Sequence, residues 1–219
     1  MIYTFDFLDD LAINTINEYY SFCKFVDGSL SGSNNRDMKW NEELRDSCHS
    51  PDLIEYTDKI LHSASNFKYV MLPRATSTPL FLKYTEGMHY AFHNDFYIMD
   101  SNLRSDYSVS ISLTDPSEYE GGELVLRLGN SEDQEIISKL PAGKGIVYPT
   151  GTLHKVNPVI SGERRVIVFW LESIIQDRRI REIVSQYSQT LLRYGSDLKP
   201  WMGELERTRH QLIRDYAQL

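Results

Sequence analysis

The sequence predicts a mainly β protein with helical flanks, and two observations support this. In the middle of the chain, short β-branched and aromatic runs are separated by turn residues. At both ends, apolar residues instead recur about every 3.6 residues, the period of a helix. Many short strands at near-regular spacing are typical of a sandwich or barrel. We therefore predict a single domain over 1–219, with a mixed helical flank over 1–66, a β core over 67–172 and a C-terminal helical segment over 173–219.

The flanking helices have recognisable boundaries. Acidic residues Asp9 and Asp10 precede the first apolar series, which suits the positive end of a helix. A second helix is predicted to begin at Ser50-Pro51, a capping residue followed by a proline in the first turn. Lys199-Pro200 is predicted to break the C-terminal segment into two helices.

The core is predicted from eight short runs. In the fourth run Leu124, Leu126 and Leu128 alternate with other residues, which is the period of a strand. Gly121-Gly122 and Ser161-Gly162 mark turns between runs. The predicted strands are 67–72, 79–84, 107–113, 123–128, 134–138, 145–148, 154–160 and 165–171.

Composition narrows the functional classes. Lys and Arg number 23 against 31 Asp and Glu, a formal net charge of −8, which disfavours a nucleic-acid partner. No apolar run approaches the roughly 18 residues of a membrane span, and the N-terminus lacks the pattern of a signal peptide. Two cysteines, Cys23 and Cys48, are too few for a metal knuckle. We expect a cytoplasmic protein with no membrane partner.

Two histidines and a carboxylate form the candidate metal site. His93 and Asp95 are two residues apart, so on an extended segment both side chains point to one face. His154, on another predicted strand, can complete the set. Two imidazoles and one carboxylate that leave open coordination positions are typical of non-haem Fe(II) oxygenases.

Arg164 adds a candidate anion site. It follows His154 after the predicted turn at Ser161-Gly162, so the next strand can return it beside the metal. A guanidinium binds a carboxylate through two hydrogen bonds, as a metal-chelating dicarboxylate cosubstrate requires. Neighbouring Arg165 is the alternative, because strand alternation lets only one of the two face the pocket. Tyr84, on the strand before His93, could add a hydroxyl to the same cosubstrate.

These residues belong to an ordered set of motifs that runs from about residue 39 to residue 177. The set resembles the Fe(II)/2-oxoglutarate-dependent dioxygenases of the prolyl 4-hydroxylase type, and within them the bacterial PKHD-type hydroxylases. Each motif alone is weak evidence for a family, but the ordered set is specific. The motifs are Lys39-Trp40-Asn41, Tyr84-Thr85-Glu86-Gly87, Tyr90-Ala91-Phe92-His93-Asn94-Asp95, Leu113-Thr114-Asp115-Pro116, Tyr119-Glu120-Gly121-Gly122-Glu123-Leu124, Ala142-Gly143-Lys144-Gly145, Tyr148-Pro149, Leu153-His154-Lys155-Val156, Ser161-Gly162-Glu163-Arg164 and Phe169-Trp170-Leu171.

The resemblance implies a double-stranded β-helix (jelly-roll, cupin-like) core and a hydroxylase that releases succinate and carbon dioxide. It implies Fe(II) held by His93, Asp95 and His154, and 2-oxoglutarate held by Arg164 and Tyr84. Ascorbate is a further candidate cofactor. The expected substrate is a protein, a peptide or a small molecule, with peptidyl proline among the candidates, and the oligomeric state stays open.

Three alternatives are weighed against this hypothesis. An oxidative nucleic-acid demethylase would share the chemistry, but the net charge of −8 and the lack of a clustered basic stripe disfavour it. A catalytically inactive jelly-roll binding module would not need three candidate metal ligands together with Arg164. A zinc hydrolase could use the same three ligands, because zinc also accepts histidine and carboxylate. The position of Arg164 favours a dicarboxylate cosubstrate and therefore the oxygenase.

Overall fold

Two antiparallel β-sheets pack face to face at the centre of the protein. The structure is a computed structural model, and it describes residues 1–31, 35–44, 51–99, 102–129 and 131–218. The strands are β1 (Tyr3–Asp6), β2 (Phe25–Asp27), β3 (Lys39–Trp40), β4 (Glu42–Leu44), β5 (Pro73–Thr76), β6 (Leu80–Tyr84), β7 (His89–His93), β8 (Ile98–Met99), β9 (Leu103–Arg104), β10 (Tyr107–Ser112), β11 (Tyr119–Gly121), β12 (Leu124–Arg127), β13 (Glu135–Ser138), β14 (Lys144–Pro149), β15 (Leu153–Val156), β16 (Val159–Gly162) and β17 (Arg164–Ser173).

In the part of the chain that the structure describes, five α-helices and four short 3-10 turns surround the sheets. The helices are α1 (Asp10–Phe22), α2 (Pro51–Ser63), α3 (Ser65–Met71), α4 (Arg178–Tyr194) and α5 (Met202–Tyr216). The 3-10 turns are Gly28–Ser31, Pro116–Glu118, Glu132–Gln134 and Lys199–Trp201. Among the described helices none is long and apolar enough to cross a membrane.

The larger sheet has the strand order β1-β14-β10-β17-β6-β4-β2, and β5 pairs beside β17. The smaller sheet has the order β13-β12-β15-β7-β3, and two strand pairs, β11-β16 and β8-β9, lie outside both sheets. Neighbouring strands are often distant in the chain, so each sheet is assembled from non-local pairings. This topology brings β7, β10, β15 and β17 around one space between the sheets.

Two apolar clusters hold the layers together. The inner cluster lies between the sheets and includes Leu126 and Val156 of the smaller sheet and Ile146 and Val166 of the larger one. The outer cluster lies between the larger sheet and helices α1, α2 and α3. Helix α4 packs on α3, and α5 packs on α4. The inner cluster therefore joins the two sheets, and the outer cluster joins the larger sheet to the helices that cover it.

The predicted mainly β composition with flanking helices is confirmed, but the predicted strand over 67–72 is wrong. These residues belong to α3, in which Phe67, Val70 and Met71 are buried at helical spacing. The helix ends at Leu72, whose positive φ of 49° is the left-handed conformation common after a helix. A short apolar run fits either period, so the pattern alone did not distinguish the two structures.

Other predictions have mixed outcomes. The predicted strand over 154–160 is two strands, β15 and β16, which are separated at Asn157-Pro158 because proline lacks the amide hydrogen that a strand pair uses. The N-terminal flank contributes β1, β2 and β4 to the larger sheet, and of these β1 pairs with β14.

Ser50 and Cys48 lie outside the described residues. The division into one domain with three segments stays a proposal.

Candidate metal centre

Strand pairing brings the two predicted histidine ligands together. His93 ends β7 and lies directly opposite His154 on the neighbouring strand β15, with ring centroids 4.1 Å apart. Asp95 follows two residues after the end of β7, so its position comes from the loop rather than from strand alternation. The Nε2 atoms of His93 and His154 each lie 3.7 Å from Asp95 Oδ1. Donor atoms of all three residues lie within 4.8 Å of one another, which is the arrangement a single metal ion requires.

Backbone carbonyls fix the orientation of both imidazoles. The Nδ1 atom of His93 lies 2.8 Å from the Ala91 carbonyl oxygen, and the Nδ1 atom of His154 lies 2.8 Å from the Thr152 carbonyl oxygen. A carbonyl oxygen can only accept, so Nδ1 donates in both rings and the Nε2 lone pairs are left for a metal. Each histidine bonds the carbonyl two residues before it, so the same local geometry positions both.

The electrostatic surroundings keep His93 neutral. Burial, followed by the neighbouring His154 ring, lowers the pKa of His93 to about 4. A neutral imidazole is the form that donates its lone pair to a metal. The ring of Tyr90 stacks on His93 with centroids 3.5 Å apart, and the ring of Tyr148 contacts His154 edge-on at 5.1 Å. These contacts hold both imidazoles in place.

Two hydrogen bonds hold the carboxylate of Asp95. Its Oδ2 atom accepts from the Ser108 hydroxyl of β10 at 2.6 Å and from the Trp170 Nε1 of β17 at 2.9 Å. The second oxygen, Oδ1, is the one that faces the two histidines. Neither supporting residue was predicted from the sequence. Trp170 stood in one of the quoted motifs, but no sequence signal linked it or Ser108 to Asp95.

Arg164 is the arginine that faces the space between the sheets. It opens β17 opposite Tyr84 of β6, and its guanidinium lies 5.1 Å from the centroid of the Tyr84 ring. The side chain is 5 % exposed and lines a small cavity with Tyr119 and the hydroxyls of Ser110 and Ser112. Within the described ranges, no carboxylate forms an ion pair with it. A buried cation without a counter-ion favours an anionic ligand.

Arg165 faces the opposite side of β17. Its guanidinium pairs with the Glu163 carboxylate, donates to Asn17 Oδ1 at 3.2 Å and lies 5.6 Å from the ring centroid of Tyr20 in α1. Glu163 therefore compensates the positive charge of Arg165 on the side of the larger sheet that faces the helices. Of the two neighbouring arginines, only Arg164 lines the cavity between the sheets.

Tyr84 lies in the same interior, fully buried beside Arg164. Burial raises the pKa of its phenol well above the usual value, and the nearby Arg164 charge opposes that rise only in part. The phenol therefore keeps its proton and can donate a hydrogen bond. The structure brings all five predicted site residues into the space between the two sheets.

Comparison with known proteins shows the family. The model of the 2OG-Fe(II) oxygenase superfamily matches residues 79–172. A PKHD-type hydroxylase of Sphingopyxis alaskensis is 34% identical over 215 residues, which cover 94% of this chain and 95% of the relative. The chain belongs to the PKHD-type hydroxylases.

Solved structures show the fold of this PKHD-type hydroxylase. A prolyl hydroxylase from Trichoplax adhaerens, in complex with a hypoxia inducible factor oxygen degradation domain peptide fragment, aligns with a TM-score of 0.60 at 15% identity, covering 78% of this chain and 82% of that chain. HygX from Streptomyces hygroscopicus, with nickel, 2-oxoglutarate and hygromycin B bound, aligns with a TM-score of 0.58 at 12% identity and the same coverage. The predicted double-stranded β-helix core is confirmed.

Membership of the family also decides between the functional hypotheses. The predicted resemblance and the predicted hydroxylase class are confirmed, and the family implies Fe(II) and 2-oxoglutarate. The PKHD-type family therefore favours the oxygenase over the zinc hydrolase and the inactive binding module.

Proposed function

We propose that this PKHD-type hydroxylase holds Fe(II) with His93, Asp95 and His154 and binds the distal carboxylate of 2-oxoglutarate with Arg164 and Tyr84. The observation that carries the proposal is the meeting of three donor atoms within 4.8 Å, in the same interior as a buried guanidinium that has no carboxylate partner among the described residues. When bound, iron and 2-oxoglutarate would activate dioxygen: one oxygen atom would enter the substrate carbon as hydroxyl, and the other would enter succinate as 2-oxoglutarate loses carbon dioxide.

The donor set fits this metal. Two neutral imidazole nitrogens and one carboxylate oxygen leave room for further ligands and are typical of non-haem Fe(II) sites. Protein groups around the set maintain its geometry: two carbonyls hold the imidazoles, and Ser108 and Trp170 hold Asp95. Arg164 presents a planar fork that matches a carboxylate. The apolar cluster between the sheets borders the site, since it includes Tyr84 beside Arg164 and Tyr148 beside His154.

For the substrate we propose a peptidyl proline. An exposed run of large side chains follows Asp95 directly: Phe96 is 73%, Tyr97 80% and Ile98 45% exposed. Such a surface beside the metal ligands suits a polypeptide, which makes contacts beyond the reacting residue. The structural likeness to a prolyl hydroxylase with a bound peptide supports the same choice. HygX, which holds hygromycin B, represents the small-molecule alternative.

Three further points stay predictions: a role for ascorbate, an intracellular location and the exclusion of nucleic acid. The role of ascorbate is tested by comparing turnover with and without it. The formal net charge of −8 supports the last.

The proposed cofactor pair is tested without a known substrate. Under anaerobic conditions, Fe(II) and 2-oxoglutarate added to the protein should give the weak visible charge-transfer band of the chelate. His154→Ala should lose the band, and Arg164→Ala should need far more 2-oxoglutarate to reach it. Succinate release with proline-containing peptides then tests the substrate. Bound iron with no band on addition of 2-oxoglutarate would contradict the proposed site.

The groups that hold Asp95 give a separate prediction. Ser108→Ala and Trp170→Phe each remove one hydrogen bond to Oδ2, so the carboxylate loses its fixed orientation. We expect Fe(II) affinity to fall by about 10–100-fold in each variant, the range typical of groups that orient a metal ligand. Fe(II) titration measures the effect. Trp201→Phe is the matched control, because Trp201 is 61% exposed and should bind iron as the unmodified protein does. Unchanged affinity in both test variants would show that Asp95 needs no such support.

A further inference from the structure

The guanidinium of Arg164 has a second tyrosine beside it, Tyr119 of β11. Both residues line the small cavity between the sheets, and Tyr119 is 7% exposed. Burial raises the pKa of the Tyr119 phenol, while the charge of Arg164 and a hydrogen bond from its side chain oppose that rise. A guanidinium can only donate, so the phenol oxygen of Tyr119 is the acceptor in this contact.

Two glycines allow this close approach. Tyr119 lies opposite Gly162 where β11 pairs with β16, and Arg164 follows Gly162 by two residues. A Cβ atom at Gly162 would lie 2.8 Å from the Cα atom of Tyr119. A Cβ atom at Gly122 would lie 3.1 Å from Arg164 Cδ and 3.2 Å from Tyr119 Cε2, so it would crowd both side chains. The strand pair outside both sheets therefore brings Tyr119 directly against Arg164.

Lys139 contacts Tyr119 at two points. Its Nζ lies 4.1 Å from the centroid of the Tyr119 ring and donates to the Tyr119 carbonyl oxygen at 2.8 Å. The negative face of an aromatic ring attracts a cation, so the ammonium stabilises the ring as well as the backbone of the tyrosine. Lys139 therefore restricts the position from which the Tyr119 hydroxyl reaches Arg164.

The charges around the cavity favour a bound carboxylate whose orientation matters. Lys139 and Arg164 both line the cavity, and none of the described residues that line it is acidic. A guanidinium binds a carboxylate best through two parallel hydrogen bonds, which form only when the two planar groups are aligned. The hydrogen bond to Tyr119 limits the rotation of the Arg164 guanidinium. Affinity for the carboxylate should therefore depend on Tyr119 as well as on the charge of Arg164.

We propose that Tyr119 is a positioning residue of the 2-oxoglutarate site: its hydroxyl oxygen orients the Arg164 guanidinium, and Lys139 holds Tyr119. This inference rests on the proposed function, in which Arg164 binds the distal carboxylate of 2-oxoglutarate. The contacts run in one order, from Lys139 to Tyr119 and from Tyr119 to Arg164. The contribution of Lys139 to 2-oxoglutarate binding should therefore require the Tyr119 hydroxyl.

Tyr119→Phe tests the first step, because it keeps the ring and removes the hydroxyl. We expect the 2-oxoglutarate concentration that half-saturates the anaerobic charge-transfer band to rise by about 2–10-fold, the effect of one net hydrogen bond. Fe(II) affinity should stay unchanged. Tyr216→Phe is the matched control, since Tyr216 is 45% exposed on α5 and should leave both values unchanged. A Tyr119→Phe protein with a lower Tm but an unchanged half-saturating concentration would overturn the proposal.

Substitutions at Lys139 test the order of the contacts. Lys139→Met should raise the half-saturating concentration by about 2–5-fold, in keeping with one cation–π contact, and Lys139→Arg should keep the wild-type value. The double variant Tyr119→Phe/Lys139→Met should match Tyr119→Phe alone, because Lys139 acts through Tyr119. Additive effects would show that Lys139 acts on the cosubstrate directly and would overturn the proposed order.

A charge control and the wild-type protein complete the experiment. Lys144→Met makes the same change of charge at a residue that pairs with Asp6, so it should leave 2-oxoglutarate binding unchanged. An equal effect of Lys144→Met and Lys139→Met would reduce the role of Lys139 to net charge and contradict the proposal. Absence of the band in the wild-type protein would instead contradict the proposed function, so the two failures are distinguishable.

Discussion

Asp95→Ala is expected to abolish iron binding and turnover. The Oδ1 atom lies 3.7 Å from the Nε2 atoms of both His93 and His154, so its removal leaves two neutral imidazoles and no negative ligand. Fe(II) affinity should fall by more than about 100-fold, beyond the range for groups that only orient a ligand. Iron content after reconstitution and succinate release in the presence of 2-oxoglutarate measure the two effects.

A matched carboxylate serves as control for this variant. Asp115 caps the 3-10 turn Pro116–Glu118 and is only partly buried, so Asp115→Ala should keep iron and turnover. The melting temperature of Asp95→Ala should also be followed, because the change leaves the Ser108 and Trp170 donors without their acceptor. Wild-type iron content and turnover in a folded Asp95→Ala protein would exclude Asp95 as a ligand.

The three proposed ligands were predictable because the chemistry constrains the residue types. A site with two histidines and one carboxylate must show those residues in any sequence. Their spacing indicated His93 and Asp95, and Arg164 together with the family resemblance singled out His154. Strand alternation does not, however, explain how Asp95 reaches the site. β7 ends at His93, and Asp95 reaches the site from the loop that follows, held by Ser108 and Trp170 rather than by strand alternation.

What the sequence could not supply is long-range pairing. Ser108 lies in β10 and Trp170 in β17, and these strands meet Asp95 only because β10 and β17 pair side by side in the larger sheet. Local periodicity carries no information about which strands become neighbours. The same limit applies to the four-residue strand β1, which pairs with β14 in the larger sheet but is too short to show a clear period.

The two adjacent arginines show how pairing resolves an ambiguity that periodicity leaves open. Alternation along β17 requires Arg164 and Arg165 to face opposite sides, but it does not say which one faces the cavity. The pairing of β6 with β17 shows that Arg164 faces the cavity. Arg164 lies opposite Tyr84, and Tyr84 belongs to the cluster between the sheets. Arg165 lies opposite Lys83 and contacts α1 instead.

Arg164→Lys is therefore expected to weaken 2-oxoglutarate binding by about 10–100-fold while iron affinity stays unchanged. Lysine keeps the positive charge but replaces a rigid fork with a single ammonium, so one of two charge-assisted hydrogen bonds to the carboxylate is lost. The 2-oxoglutarate concentration that half-saturates the anaerobic charge-transfer band measures the change directly, before any substrate is known.

Arg165→Lys is the matched control, because it makes the same substitution one position away on the same strand. It should leave the half-saturating concentration of 2-oxoglutarate unchanged and should lower the Tm, since Arg165 contacts Glu163, Asn17 and the ring of Tyr20. The opposite pattern, with Arg165→Lys weakening 2-oxoglutarate binding and Arg164→Lys only destabilising the protein, would mean that the cosubstrate approaches from the helical side of the larger sheet. That outcome would be incompatible with a metal held by His93 and His154, because both histidines face the space between the sheets together with Arg164.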